Sequence, residues 1–315
     1  MMTAQRMQAG GALPADMQLH FADRLRAQAD LSKTNWFRVG GSAEWLFKPT
    51  DTADLAAFMK ALPREVPIMV LGVGSNVIIR DGGIDGVVVK LGRGFTEIIK
   101  YPSPHAGEGY IEIGAACLDV HVAQFACDHA IDGLSFLSGV PGTIGSAVRM
   151  NAGAYGNDIS QVLVEAEIVE RNGTIRRLSN AELGFRYRHS SLPEGAIVTK
   201  AILRGKPGER EAIAAHIAEI NRAREETQPI RTRTGGSTFK NPEGQKAWQL
   251  IDRAGCRGLM IGGAQVSEKH CNFLINTGSA TAADLEMLGE EVIRQVKEKT
   301  GATLEWEIKR IGKTK

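Results

Sequence analysis

An α+β chain of two or three domains is what the sequence predicts, and three observations carry it. The chain has 315 residues, too many for one domain at ~100 to 200 residues each. Residues 68–203 hold a succession of short apolar, β-rich runs separated by glycine turns. After Lys206-Pro207-Gly208 the character changes, and apolar residues recur at helical spacing.

The elements follow in order. A helix is expected over 16–29, a short strand over 43–48 and a helix over 51–62. Three β-runs come next, at 68–71, 76–80 and 86–91, then strands at 97–100 and 110–114 and a helix over 118–129. The block 162–203 reads as mostly strand, with Asn172-Gly173 as a hairpin turn. Helix 209–227 carries Ile213, Ile217 and Ile220 at helical spacing, and helix 245–254 is closed by Gly255. Helix 281–300 places Leu285, Leu288, Val292 and Val296 on one face. A last strand, 303–311, stands alone after a helix and must pair elsewhere. Boundaries are set near 85 and 206. The expected units are therefore 1–85, 86–206 joined by the C-terminal strand 303–315, and 207–302.

Composition excludes several classes. With 38 Lys plus Arg against 36 Asp plus Glu, the net charge of +2 is not that of a nucleic-acid binder. Arg222, Arg224, Arg231 and Arg233 read as a solvated face. The first twenty residues lack a continuous apolar core, and no stretch approaches the ~20 apolar residues of a membrane helix, so neither export nor membrane insertion is expected. Cys117, Cys127, Cys256 and Cys271 form no CxxC pair, which suits reduced thiols in a cytoplasm. The seven histidines form no metal motif, and no metal is expected.

Glycine supplies the first functional signal. Sixteen of the 36 glycines fall between Gly72 and Gly156. The string LGVGSN (71–76) follows a β-run as a dinucleotide fingerprint would, but it lacks the third glycine and runs into another β-run instead of a helix. By itself it reads rather as a β-turn. A second loop, GVPGTIG (139–145), leads towards NAGAYG (151–156). Small residues and a hydroxyl there leave backbone N–H groups able to converge on an anion, with no Walker lysine following.

These loops belong to a longer resemblance. NWFRVGG (35–41), LGVGSN, GVPGTIGSAVRMNAGAYG (139–156), FRYRHS (185–190), GGSTFKNP (235–242), WQLIDRAGCRGLMIGGAQVSEKHCNFLIN (248–276) and LEWEIKRIG (304–312) resemble, in that order, the UDP-N-acetylenolpyruvoylglucosamine reductase family. The resemblance implies reduction of the enolpyruvyl ether of UDP-N-acetylglucosamine enolpyruvate to UDP-N-acetylmuramate with NADPH and FAD. It also implies two α+β subdomains clasping FAD, as in the vanillyl-alcohol-oxidase type (PCMH-type), followed by a third, substrate-binding α+β domain. The implied FAD residues are Gly72, Val73, Gly74, Ser75, Asn76, Val140, Pro141, Gly142, Thr143, Gly145, Asn151 and Gly153. No histidine lies between His20 and His105 or between His129 and His189, so FAD is expected to be non-covalent. A monomer in a bacterial cytoplasm is expected, with neither nucleic acid nor membrane as partner.

The reaction needs three groups. Hydride delivered to C3 leaves anionic character at C2, which asks for a proton donor, a cation on the carboxylate and a polar group to hold the enolate. Ser237 matches the family's proton donor, although a serine beside Gly-Gly also suits a plain turn. A hydroxyl is a poor acid and needs organised neighbours such as Lys240. Lys240 and Asn241 match substrate contacts. Arg188 offers a planar fork for a carboxylate. Arg186 shares its face, the motif selects 188, Tyr187 is a substrate contact and His189 is left as a plain polar residue. Strand alternation leaves Glu305 and Glu307 both open, and the family's Glu-Val-Arg-x-Ile-Gly favours Glu307, which must be protonated to donate to an enolate.

The chain departs from the family pattern in places. Lys309 replaces an arginine, and Ser146 stands where glycine is common. The short span after Arg188 leaves no room for a tyrosine-bearing lid, which is the lidless second type. Lys269 and His270 read either as diphosphate contacts or as a satisfied polar pair. Two other functions remain in view: a flavin oxidase of the same fold, and a catalytically dead nucleotide-sugar binding module.

Overall fold

The computed structural model describes residues 13–102 and 107–315. Residues 1–12 of the first unit, with most of the segment read above for an export signal, lie outside the described residues, as does His105.

The first unit contains α1 (Ala15–His20), β1 (Leu25–Asp30), β2 (Ser42–Phe47), α2 (Thr52–Ala61), β3 (Ile68–Val70), β4 (Val77–Ile79) and β5 (Ile84–Val89). The sheet runs β1-β2-β5-β3, with β1 antiparallel to β2 and with β2, β5 and β3 parallel. The expected helix 16–29 is thus a single short helix followed by a strand. Leu25 through Asp30 pair with β2, and that ladder overrides the helical preference of Leu-Arg-Ala-Gln-Ala. Phe21, just past α1, packs edge-on against Phe47 and Phe58, which stack at 3.7 Å. Val87, Val88 and Val89 are fully buried, as a central parallel strand requires. Because β5 lies between β2 and β3, the first boundary falls after Val89, not at 85.

The second unit contains β6 (Ile98–Tyr101), β7 (Gly109–Gly114), α3 (Asp119–Asp128), β8 (Ile131–Asp132), α4 (Ile144–Met150), β9 (Gly153–Ala154), β10 (Asn157–Asp158), α5 (Ile159–Val162), β11 (Leu163–Val169), β12 (Ile175–Ser179), β13 (Ile197–Pro207) and α6 (Arg210–Thr227). Its antiparallel sheet runs β12-β11-β13-β7-β6. Gly173 turns the β11–β12 hairpin with φ +84°. Ile213 and Ile217 of α6 join the core formed by Val122 and Ala126 of α3. Pro207-Gly208 therefore ends a strand rather than a domain, and the second boundary falls after α6, not at 206.

The third unit contains β14 (Arg233–Thr234), α7 (Ala247–Arg253), β15 (Met260–Ile261), β16 (Ala264–Val266), β17 (Leu274–Asn276), α8 (Ala282–Thr300) and β18 (Lys309–Ile311). Its sheet order is β14-β17-β16-β15. Leu285, Leu288, Val292 and Val296 of α8 bury against Leu250 and Ile251 of α7, and Thr281 with Asp284 closes a capping box. The last strand is three residues long and pairs in parallel with β4 of the first unit, not with the middle unit. Ile78 and Ile79 are fully buried, and β18 supplies the backbone partners that β4 does not find in the main sheet.

Polar clamps fasten the third unit to the first. Asp81 accepts the amides of Ala282 and Ala283 at the start of α8, each at 3.1 Å, and Arg80 pairs with Glu286 at 2.8 Å. Buried Asn276 donates to the Phe37 carbonyl at 2.7 Å and accepts from Gly278 and Ala280. Replacing Asn276 with alanine orphans three backbone groups and should lower stability by about 2 kcal/mol. Urea unfolding checks this, and an unchanged midpoint would show that the clamp contributes nothing.

Candidate functional site

The loop 72–76 leaves the carboxyl end of β3, the edge where parallel sheets present their ligands. Gly74 has φ +68°, and a Cβ there would lie 2.5 Å from Asn35 Cα, so only glycine fits. Asn35 explains part of NWFRVGG: it is buried, and its Nδ2 donates to the Leu31 and Val39 carbonyls, bracing the turn against which the loop rests. Among the described residues, no protein acceptor takes the amides of residues 72–76. A Cβ on Gly72 would lie 3.3 Å from Thr143 Oγ1, so the two glycine loops face each other.

In the second loop, Thr143 opens α4, a helix the sequence reading did not assign. Ser146 Oγ accepts the Thr143 amide at 3.1 Å and donates to its carbonyl at 2.7 Å. The departure at Ser146 is thus a capping residue. Gly145 lies against Ala115 and spends its amide on the Ala115 carbonyl at 2.8 Å. Asn151 is buried, its Nδ2 bonds Asp158 and the Arg186 carbonyl, and its Oδ1 accepts the Ser160 amide. Gly145 and Asn151 therefore shape the loop, and their polar groups named here are engaged within the protein.

Beneath Gly142 lies a residue that the sequence reading passed over. Asp119 is fully buried, neither carboxyl oxygen has a hydrogen-bond partner among the described residues, and desolvation pushes its pKa well above the usual carboxylate range. A Cβ on Gly142 would lie 2.8 Å from Asp119 Oδ2, which accounts for that glycine. Since the folded pKa is raised above the unfolded one, the associated stability is present below the unfolded pKa and is lost as pH rises towards the folded pKa. Asp119→Asn should abolish that slope. Urea midpoints at about pH 5 and about pH 8 test it, and parallel pH profiles for both proteins would contradict it.

The residues expected to act on substrate converge from three distant segments. Arg186 and His189 exchange backbone hydrogen bonds at 3.0 and 3.1 Å, which puts Tyr187 and Arg188 at a hairpin tip. Arg188 adopts φ +55°, a left-handed conformation held by its contacts. Its Nε meets Glu307 Oε1 at 3.0 Å, Nη1 donates to the Gly153 carbonyl at 3.4 Å, and the guanidinium lies 5.2 Å over the Tyr187 ring. Thr238 accepts the Glu307 amide at 2.8 Å, and the Gly236 amide donates to the Ser75 carbonyl at 3.1 Å. Ser237 is thereby strung between the first glycine loop and Glu307. It is half-buried, its hydroxyl has no hydrogen-bond partner among the described residues, and a Cβ on neighbouring Gly236 would meet only open space. Asn272, in the string KHCNF, holds this segment by bonding both the amide and the carbonyl of Phe239.

Two expected residues face elsewhere. The Lys240 ammonium pairs with Glu305 at 3.1 Å, so in this structure it is committed away from Ser237. Asn241 Oδ1 accepts the Ala247 amide at the start of α7. Of the two glutamates left open by strand alternation, Glu305 turns to Lys240 and Glu307 to Arg188. Tyr187 is 69% exposed, available to a bound ligand.

Comparison with known proteins now decides the family. Residues 228–311 match the model of the C-terminal domain of UDP-N-acetylenolpyruvoylglucosamine reductase. The enzyme of that name from Gluconobacter oxydans is 57% identical over 290 residues, 92% of this chain and 93% of its own. The chain belongs to the UDP-N-acetylenolpyruvoylglucosamine reductase family. A second family member, from Sphingopyxis alaskensis, is 52% identical over 307 residues and covers 98% of this chain and 99% of its own. The crystal structure of the Thermus caldophilus reductase superposes with a TM-score of 0.78 at 34% identity, covering 92% of this chain and 99% of that one. Residues 43–179 match an FAD binding domain, and the C-terminal match begins at 228, directly after α6 ends at Thr227. The expected FAD-binding fold with a third domain therefore holds. The facing glycine loops suit the cofactor: among the described residues the amides of 72–76 lack protein acceptors, and Gly72 carries no side chain to fill the space between them.

Proposed function

We propose that this chain reduces UDP-N-acetylglucosamine enolpyruvate to UDP-N-acetylmuramate, with NADPH as reductant, FAD as non-covalent cofactor, and Ser237, Arg188 and Glu307 as the groups acting on substrate. One observation supports the residue assignment: the Arg188 and Glu307 side chains pair, the residues on either side of Ser237 are bonded to Ser75 of the first glycine loop and to the Glu307 amide, and the Ser237 hydroxyl has no hydrogen-bond partner among the described residues. FAD, held by the loops 72–76 and 139–145, would when bound relay the hydride from NADPH to C3 of the enolpyruvyl group. Everything else falls to the protein. Arg188 grips the substrate carboxylate, which competes with the Glu307 carboxylate for the guanidinium. Glu307, displaced from Arg188 and having taken up a proton from solvent, then donates a hydrogen bond to the enolate oxygen that develops as C3 is reduced, and keeps that proton. Ser237 gives its proton to C2 and is reprotonated from solvent, so that one hydride and one proton add across the double bond. Tyr187 contacts the substrate, and Asn241 can do so only through its Nδ2, since its Oδ1 is held by the Ala247 amide. Lys240 joins them only if its pair with Glu305 opens.

Among the described residues, no helix is long and apolar enough to cross a membrane. The proposed setting is the bacterial cytoplasm, with the chain acting as a monomer and with neither nucleic acid nor membrane as partner. The decisive experiment follows NADPH oxidation with and without the enolpyruvyl sugar. Oxidation that depends on the sugar, by a yellow protein that releases FAD on denaturation, is expected. NADPH consumed at the same rate without sugar would point to an oxidase, and no oxidation at all to a binding module.

A further inference from the structure

Lys90 directly follows β5, at the carboxyl edge shared by β2, β5 and β3, from which loop 72–76 also departs. Val70 is in register with Val89, so Lys90 lies abreast of the start of that loop. Its backbone is fixed by the bond from its amide to the Phe47 carbonyl at 2.9 Å. Its ammonium donates to the Gly72 carbonyl at 3.1 Å. An ammonium has three donors, and among the described residues no carboxylate pairs with this one. The charged neighbour acting on it is a second lysine, Lys48, one residue past β2, and burial together with Lys48 presses its pKa down. A partly buried cation that faces another cation is unfavourable until an anion comes near.

The Gly72–Val73 peptide plane adds a direction. With the Gly72 carbonyl turned to Lys90, the trans amide of Val73 points the opposite way, and among the described residues that N–H has no protein acceptor. We propose that Lys90 is the positioning residue and counter-charge for the FAD diphosphate: it stands behind the loop, fixes the Gly72–Val73 peptide so that its amide faces the phosphates, and offsets their charge. The inference rests on FAD as the cofactor of this chain, and it adds a cation to a loop otherwise built of neutral amides.

FAD affinity of the purified protein, followed by the fluorescence of released flavin over a KCl series, tests this. Lys90→Met should weaken FAD binding by about tenfold or more and flatten its salt dependence. Lys90→Arg should recover most of the affinity. Lys90→Gln keeps a polar donor, one bond shorter and without the charge, and should remain weak, so that its failure beside recovery by Lys90→Arg assigns the effect to charge. FAD held by Lys90→Met or Lys90→Gln as tightly as by the parent would overturn the proposal. So would parent affinity indifferent to KCl, a result that does not depend on any variant folding. A parent protein without flavin would instead sink the cofactor reading itself.

Discussion

Ser237→Ala is expected to leave NADPH bleaching of the flavin nearly intact and to slow reoxidation by the enolpyruvyl sugar by ~10²-fold or more, the low end for a lost general acid. The structure sharpens the reason. Ser237 is strung between Gly236, bonded to Ser75, and Thr238, bonded to Glu307, while its own hydroxyl has no protein partner. Alanine removes that hydroxyl and breaks no hydrogen bond seen in the fold, so a loss of rate cannot be assigned to a damaged loop. Stopped-flow reduction and reoxidation on one preparation separate the half-reactions. Near-normal turnover would make Ser237 a turn residue.

Arg188→Lys should cost several-fold or more in turnover as well as in affinity for the sugar, with flavin reduction by NADPH much less affected. Lysine keeps the charge but loses the planar fork, which here reaches Glu307 and the Gly153 carbonyl at once. An interaction that strengthens as the carboxylate gains charge acts on kcat, not only on KM. Arg188 also holds a left-handed backbone at the hairpin tip, a strain that its contacts must offset. Unchanged turnover with a raised KM would make it a uniform binding residue, and full activity would shift the role to Arg186.

Much of the fold was legible because local patterns report local structure. Helices α2, α3, α6, α7 and α8 fall within two residues of their expected ranges, since apolar spacing and caps act over a few residues. The misread segment, 16–29, failed where a strand partner overrode local preference. Both boundaries failed because the glycines and Pro207-Gly208 mark turns, whereas a domain is defined by which core a side chain enters. Ile217 belongs to the second core although it follows the turn. At the site, Asp119 and Lys90 escaped notice because a single charge in a sequence carries no sign of its burial.

By itself the sequence determined most of the succession of elements, the two glycine loops, and, through motifs spread along the chain, the family and with it the residues proposed to act on substrate. Tertiary structure alone decided how those residues are paired. Arg188 meets Glu307 across 119 residues of chain, the last strand returns to β4, the Lys240 ammonium is spent on Glu305, and the amides of 72–76 stay without protein acceptors while that of Gly145 is consumed. The physical reason is that hydrogen bonds and ion pairs act over a few ångströms, so their partners are set by the folded path of the chain rather than by distance along it.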